Sequence, residues 1–311
     1  MLALSRPLVI HHTILRPSSH LLASAFLSSV RNQSTTPASA SASPTVTGPH
    51  PKLGTDPNAA TWRKMEEKQE PDIVRKKTYM LRYPVYTPQE LEAVKFTHKE
   101  LTGVRDRVAF AMVRLMRFGF DTATNYSDKI GVMTEKQWLN RIVFLETVAG
   151  VPGMVGGMMR HLRSLRLLRR DNGWVHTLLE EAENERMHLL TFMKLKQPSI
   201  FFRAMVLMGQ GVFFNLFFAS YILSPRACHR FVGYLEEEAV HTYSNCLKDI
   251  EVGQIQHWAT TPAPDIAKEY WRLKETATLR DVVAAVRADE AEHRDVNHTL
   301  AGLKPDDPNP F

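Results

Sequence analysis

Two widely separated Glu-x-x-His pairs, Glu185 with His188 and Glu290 with His293, constrain this chain more than any other feature. A spacing of three places both side chains on one face, about a turn apart, when the segment is helical. The surrounding sequence supplies that condition. Apolar residues recur with helical periodicity over roughly 88–121, 135–160, 172–195, 200–223, 225–252 and 276–300, and no period-2 run exceeds a few residues. A Pro/Thr cluster from Thr260 to Pro264 separates the last helix from the others. The predicted class is all-α. At 311 residues with 44% hydrophobic content, the chain can bury a sizeable core and is neither collagen-like nor wholly disordered.

Two further carboxylates complete a pattern. Glu146 lies in VFLETVAGVPGMVGGMM, where a solvated charge makes little sense, and Glu236 begins a run of three glutamates after FVGYL. The chain order is then Glu, Glu-x-x-His, Glu, Glu-x-x-His. That order is the ligand pattern of ferritin-like di-iron bundles, in which two helices each give a Glu and two each give a Glu-x-x-His pair. Four carboxylates and two imidazoles can bridge and terminate two iron ions per chain and still leave positions open for oxygen. Glu238 and His241 form a third Glu-x-x-His. Spacing alone leaves open which of Glu236, Glu237 and Glu238 points inward, because helical neighbours are about 100° apart. Glu236 is the preferred ligand: it completes the pattern and shares a face with Val240 and Tyr243, which leaves His241 to a supporting or surface role.

The segments LETVAG, NERMHL, LEEEAVHTY and RADEAEHRDVNH, in this order, resemble the alternative oxidases, the cyanide-insensitive ubiquinol oxidases of the mitochondrial inner membrane. The resemblance spans roughly residues 60–300. It implies a ferritin-like four-helix bundle with two additional helices that binds two irons, oxidises ubiquinol and reduces oxygen to water without pumping protons. By motif, the implied iron ligands are Glu146, Glu185, His188, Glu236, Glu290 and His293. Tyr243 matches the family's redox tyrosine. Arg117, Asp121, Arg141, Leu145, Leu235, Glu238, Ala239 and Thr242 match the quinol pocket, and Asn184, His229 and Asp289 match residues that support the metal site. A homodimer is implied. The plant branch carries a regulatory cysteine on the arm before the first helix; that region has none here, so control through that thiol is expected to be absent. The neighbouring readings are a related di-iron quinone hydroxylase and a plastid-type quinol oxidase.

The net charge of +6 first suggests an anionic partner. Its distribution says otherwise. Before the first acidic residue, Asp56, stand Arg6, Arg16, Arg31 and Lys52, which leaves +2 for the remainder. A basic, Ser-rich, acid-free beginning is the composition of an organelle transit peptide, so residues 1–60 read as a mitochondrial import signal with a disordered connector. Residues 61–311 read as an arm plus the helical domain. Nucleic acid is not an expected partner. Cys228 and Cys246 are too few for a disulfide framework, consistent with a reduced compartment.

Ala204–Leu223 is long and apolar enough to cross a bilayer. One crossing between His188 and Glu236 would tend to separate ligands that must converge, so that apolar length is better spent inside the bundle, in a dimer interface or on an interfacial face. Arg160, Arg163, Arg166, Arg169 and Arg170, interleaved with leucines, suit anionic headgroups on one leaflet. The resulting expectation is a monotopic protein; the resemblance further implies the inner mitochondrial membrane, facing the matrix.

Overall fold

A computed structural model describes residues 85–311; the transit-peptide reading of residues 1–60 and the first part of the arm lie outside them. Eight α-helices are found among the described residues: α1 (Pro88–Ala93), α2 (Val104–Thr124), α3 (Glu135–Leu167), α4 (Trp174–Phe192), α5 (Ile200–Leu223), α6 (Pro225–Glu251), α7 (Asp265–Trp271) and α8 (Leu279–Leu300). A single 3₁₀ turn, Gln256–Ala259, follows α6. The described residues contain no strand beyond one isolated bridge between Pro262 and Thr278.

Helix starts follow local chemistry. Thr134 with Gln137 and Thr278 with Asp281 form reciprocal capping boxes at α3 and α8, and the Ser199 side chain accepts from the Phe202 N–H at α5. The bundle is built from two tightly packed pairs, α3 with α4 and α6 with α8; α2 lies against α6, and α5 lies against α3 and α6. Glycine sets the α3–α4 distance. A Cβ on Gly153 would sit 2.6 Å from the Leu178 carbonyl oxygen of α4, so only glycine permits this backbone approach. The main core gathers Trp138, Val143, Leu178, Met187, Tyr243, Trp258, Trp271 and Val286 from several of these elements.

Three expectations are corrected. The first helix, expected over 88–121, is two helices joined by an extended strap over residues 94–103. The strap's backbone groups find partners on α6 and α8 in place of helical ones. The Lys99 N–H donates to Glu237 Oε1 at 2.8 Å, Tyr234 donates to the Lys99 carbonyl at 3.1 Å, and Arg294 donates to the Lys95 carbonyl at 3.0 Å. Next, the residues after the Pro/Thr cluster hold a short helix, α7, with Tyr270 and Trp271 buried. Last, the arginine stretch does not act as one lipid-facing unit. Arg160 is 6% exposed, pairs with Asp171 at 3.0 Å, donates to the Pro305 carbonyl at 2.6 Å and lies over Trp174. Arg163 reaches Asp306 at 2.8 Å. Both clamp the C-terminal segment because α3 runs on to Leu167 and turns them toward it.

Candidate metal centre

The four bundle helices bring the six Glu and His residues of the sequence pattern to one buried place: Glu146 from α3, Glu185 and His188 from α4, Glu236 from α6, Glu290 and His293 from α8. Ligand atoms of Glu146, Glu185, His188 and Glu290 lie within 4.8 Å of one another, and those of Glu185, Glu236, Glu290 and His293 do the same. The two quartets share Glu185 and Glu290. Two adjacent cation sites joined by two bridging carboxylates would have this geometry.

Whether cations fit can be judged from the donor atoms. His188 Nδ1 lies 3.3 Å from Glu185 Oε2, 3.5 Å from Glu146 Oε2 and 3.6 Å from Glu290 Oε1, yet none of these contacts has hydrogen-bond geometry. Glu146, Glu185 and Glu290 each hold a buried Oε2 that accepts no hydrogen bond. Buried polar atoms are nearly always satisfied, so several aimed at a shared interior point suit metal ions. The electrostatics agree. Burial, with repulsion from Glu185 and Glu290 against the pull of His188, pushes the Glu146 carboxyl up to about 8. Burial and the neighbouring Glu290 and Glu185 push Glu236 well above the carboxylate range. Burial pushes Glu185 up too, but the combined attraction of His293 and His188 overcomes it and holds that carboxyl low. Four carboxylates this close resist ionising together, and two divalent cations would remove the conflict.

The supporting contacts fix which nitrogen of His188 faces the centre. Asp289 is fully buried and accepts from His188 Nε2 at 2.9 Å, Asn184 Nδ2 at 2.9 Å, Trp271 Nε1 at 2.8 Å and the Tyr86 hydroxyl at 2.7 Å. With Nε2 on Asp289, Nδ1 is the nitrogen turned to the quartet, where a bound cation would take its lone pair, as in carboxylate–histidine–metal sites. The Trp271 ring also stacks on His188 at 5.8 Å. On the other side, His229 meets Asn297 Oδ1 through Nδ1 at 3.0 Å and the Tyr221 hydroxyl through Nε2 at 3.1 Å. Burial pushes His229 down to about 4, so it is neutral. Asn297 donates to Glu181 and to the His293 carbonyl. Sequence reasoning missed Tyr86, Trp271, Asn297 and also Tyr270, whose hydroxyl accepts from Asn184 Nδ2 at 3.0 Å. Trp271 carried no signal, lying between the helical candidates 225–252 and 276–300; Asn297 sits inside the RADEAEHRDVNH segment.

Of the three consecutive glutamates, Glu236 turns into the cluster. Glu237 takes the strap's Lys99 N–H and pairs with His98 at 2.6 Å and His298 at 2.8 Å. Glu238 pairs with Arg117. His241 lies at the edge, 34% exposed and 3.7 Å from Asp128. Tyr243 is buried, and its hydroxyl donates to Glu146 Oε1.

Beside this tyrosine's helix runs a charged network. Arg117 bonds Asp121 at 3.1 Å and Asp128 at 2.9 Å as well as Glu238; Arg141 pairs with Asp121 at 2.6 Å. A cleft of about 350 Å³, bordered by Arg114, Arg117, Phe118, Asp121 and Tyr126, opens over it. The Thr242 hydroxyl is committed to the Glu238 carbonyl at 2.8 Å. Leu145, Leu235 and Ala239 are half-buried, each one residue from Glu146, Glu236 or Glu238.

Comparison with known proteins agrees with this architecture. Residues 86–302 match the alternative oxidase family. The mitochondrial alternative oxidase of Emericella nidulans is 57% identical over 251 residues, covering 78% of this chain and 71% of that protein. The Aspergillus niger protein of the same name is 55% identical, covering 74% and 68%, and the Yarrowia lipolytica one 52% identical, covering 74% and 67%. A helical bundle with two carboxylate–histidine quartets, matched in sequence over most of its length, makes this chain a member of the alternative oxidase family.

Proposed function

We propose that this oxidase oxidises ubiquinol and reduces oxygen to water at a di-iron centre held by Glu146, Glu185, His188, Glu236, Glu290 and His293. The observation that carries this reading is the pair of buried quartets sharing Glu185 and Glu290, with the Tyr243 hydroxyl hydrogen-bonded to one of their members. When bound, two irons supply one-electron redox steps and open positions for oxygen. The chain's own residues do the rest. Arg117 and Arg141 offer donors to the quinol oxygens, while Asp121 and Glu238 are carboxylates within the same network that can take its protons. Tyr243 lies on α6, the helix that also carries Glu238 of that network, and its hydroxyl reaches the quartets through Glu146. A phenol can release an electron and a proton together, and Glu146 is the acceptor already in contact. Each quinol gives two electrons and two protons, so two quinols convert one oxygen molecule to two waters.

The relatives are named mitochondrial. We place this enzyme on the matrix face of the inner membrane as a peripheral, monotopic homodimer, with residues 1–60 as its import segment and the remainder as the working domain. The outer faces of α2 and α5 support leaflet binding. Leu115 and Phe118 are each 71% exposed, and Leu207 is 75% exposed. Arg166, Arg169 and Arg170, exposed where α3 ends, add basic charge.

Oxygen uptake by the purified holoenzyme with a short-tailed ubiquinol analogue tests the reaction. Cyanide-resistant uptake with two irons per chain and oxidised quinone as product is expected, and Tyr243→Phe should abolish it. A hydroxylated quinone product, or wild-type turnover in Tyr243→Phe, would overturn the reading.

A further inference from the structure

Tyr126 has no part in the metal quartets, yet it touches both arginines of the charged network. It is placed by the end of α2. Asn125 takes a left-handed backbone, φ 51°, which folds the chain back so that the Tyr126 N–H donates to the Asp121 carbonyl at 2.9 Å. Asp121 therefore fixes the backbone of Tyr126 while its carboxylate pairs with Arg117 and Arg141. The ring lies under Arg141, whose guanidinium carbon is 3.9 Å from the ring centroid, and within 5.5 Å of that of Arg117. Trp138 packs edge-on against the same ring, and Asn245 of α6 reaches its hydroxyl at 3.4 Å.

We propose that Tyr126 is a positioning residue for substrate binding: its ring fixes the pose of Arg141, and through it Arg117, toward the quinol head. The inference rests on the quinol reading of this network. Two like charges share Asp121, and an ion pair alone leaves a guanidinium free to turn about the charge. An aromatic face fixes the guanidinium plane as well as its position. The hydroxyl meets an amide donor and not a base, so the ring, not proton transfer, carries the role.

Steady-state kinetics of the iron-loaded full chain with a ubiquinol analogue test this. Tyr126→Leu should raise KM about tenfold with kcat changed by less than about twofold. Its iron content should stay full, and Tyr126→Phe should restore the parental KM. Arg141→Ala should raise KM by itself, and adding Tyr126→Leu to it should raise KM no further, because the tyrosine acts through that arginine. A parental KM in Tyr126→Leu, additive effects in the double variant, or a Tyr126→Leu protein that loses iron or its fold would each overturn the proposal. In the last case the ring would be holding the bundle and not the arginines. The two readings fail differently. Arg141→Ala at parental KM removes the quinol reading of the network and this inference with it; a strong Arg141→Ala effect beside a silent Tyr126→Leu removes only the role of Tyr126.

Discussion

Helices α3 and α5 are both long and apolar enough to cross a membrane, yet the fold uses them in opposite ways. In α3, 44% of the most apolar window is buried, against 11% in α5. The inner face of α3 holds Arg141 and Glu146, and its glycines let α4 come close. Most of α5 turns outward: Met208, Val212 and Leu216, on successive turns, are 66%, 57% and 65% exposed, while Phe202, Phe217 and Tyr221 anchor its other side. Equal apolar content therefore says nothing about which surface a helix faces. Position in the Glu/His order does, because α3 carries a carboxylate of the buried cluster and α5 carries none.

Substitutions on the two helices can break this contrast, and the largest effect belongs to the inner face of α3. Glu146→Ala removes a member of one quartet and the acceptor of the Tyr243 hydroxyl. Quinol oxidation should fall by more than the roughly 10- to 100-fold typical of losing an outer partner of a metal site, with iron content reduced in metal analysis. An active, fully loaded variant would remove Glu146 from the ligand set. Next comes Gly153→Ala. The added methyl meets the Leu178 carbonyl and Ala182, so thermal or denaturant unfolding should show a loss of about 1–3 kcal/mol from overpacking. An unchanged midpoint would show that α3 and α4 can move apart freely.

On α5 the effects should move from the fold to the surface. Val212→Glu with Leu216→Glu should weaken co-sedimentation with anionic vesicles while the unfolding free energy stays within about 0.5 kcal/mol of the parent. Retained sedimentation would remove α5 from the proposed leaflet contact. The smallest effect is expected for Gly211→Ala. Its added Cβ would meet nothing within 4 Å, so the helix should gain roughly 0.5–1 kcal/mol without change in activity. The same Gly→Ala change thus has opposite signs on the two helices.

Much of the buried cluster was legible in the sequence because a repeated Glu-x-x-His spacing picks out helix faces by residue type. The two Glu-x-x-His pairs and the isolated Glu146 could hardly be ordinary helix faces once read together. Spacing could not choose among Glu236, Glu237 and Glu238. The choice depends on what stands opposite each one, and the opposing groups come from the strap, from α2 and from α8. Trp271 and Tyr86 were invisible for the same reason: each meets Asp289 from a segment with no ligand pattern of its own. The arginine stretch misled because periodicity along one helix cannot reveal that the C-terminal segment folds back to meet Arg160 and Arg163.

By itself the sequence determined the helical class, the order of the clustered glutamates and histidines and the family, since these depend on residue identity and local period. The tertiary structure alone decided which glutamate of three enters the cluster, which nitrogen of His188 faces it, which apolar helix is left outside, and how Tyr126 comes to lie against two arginines. These are contacts between residues distant in the chain, and their energies depend on burial and direction, which no local pattern encodes.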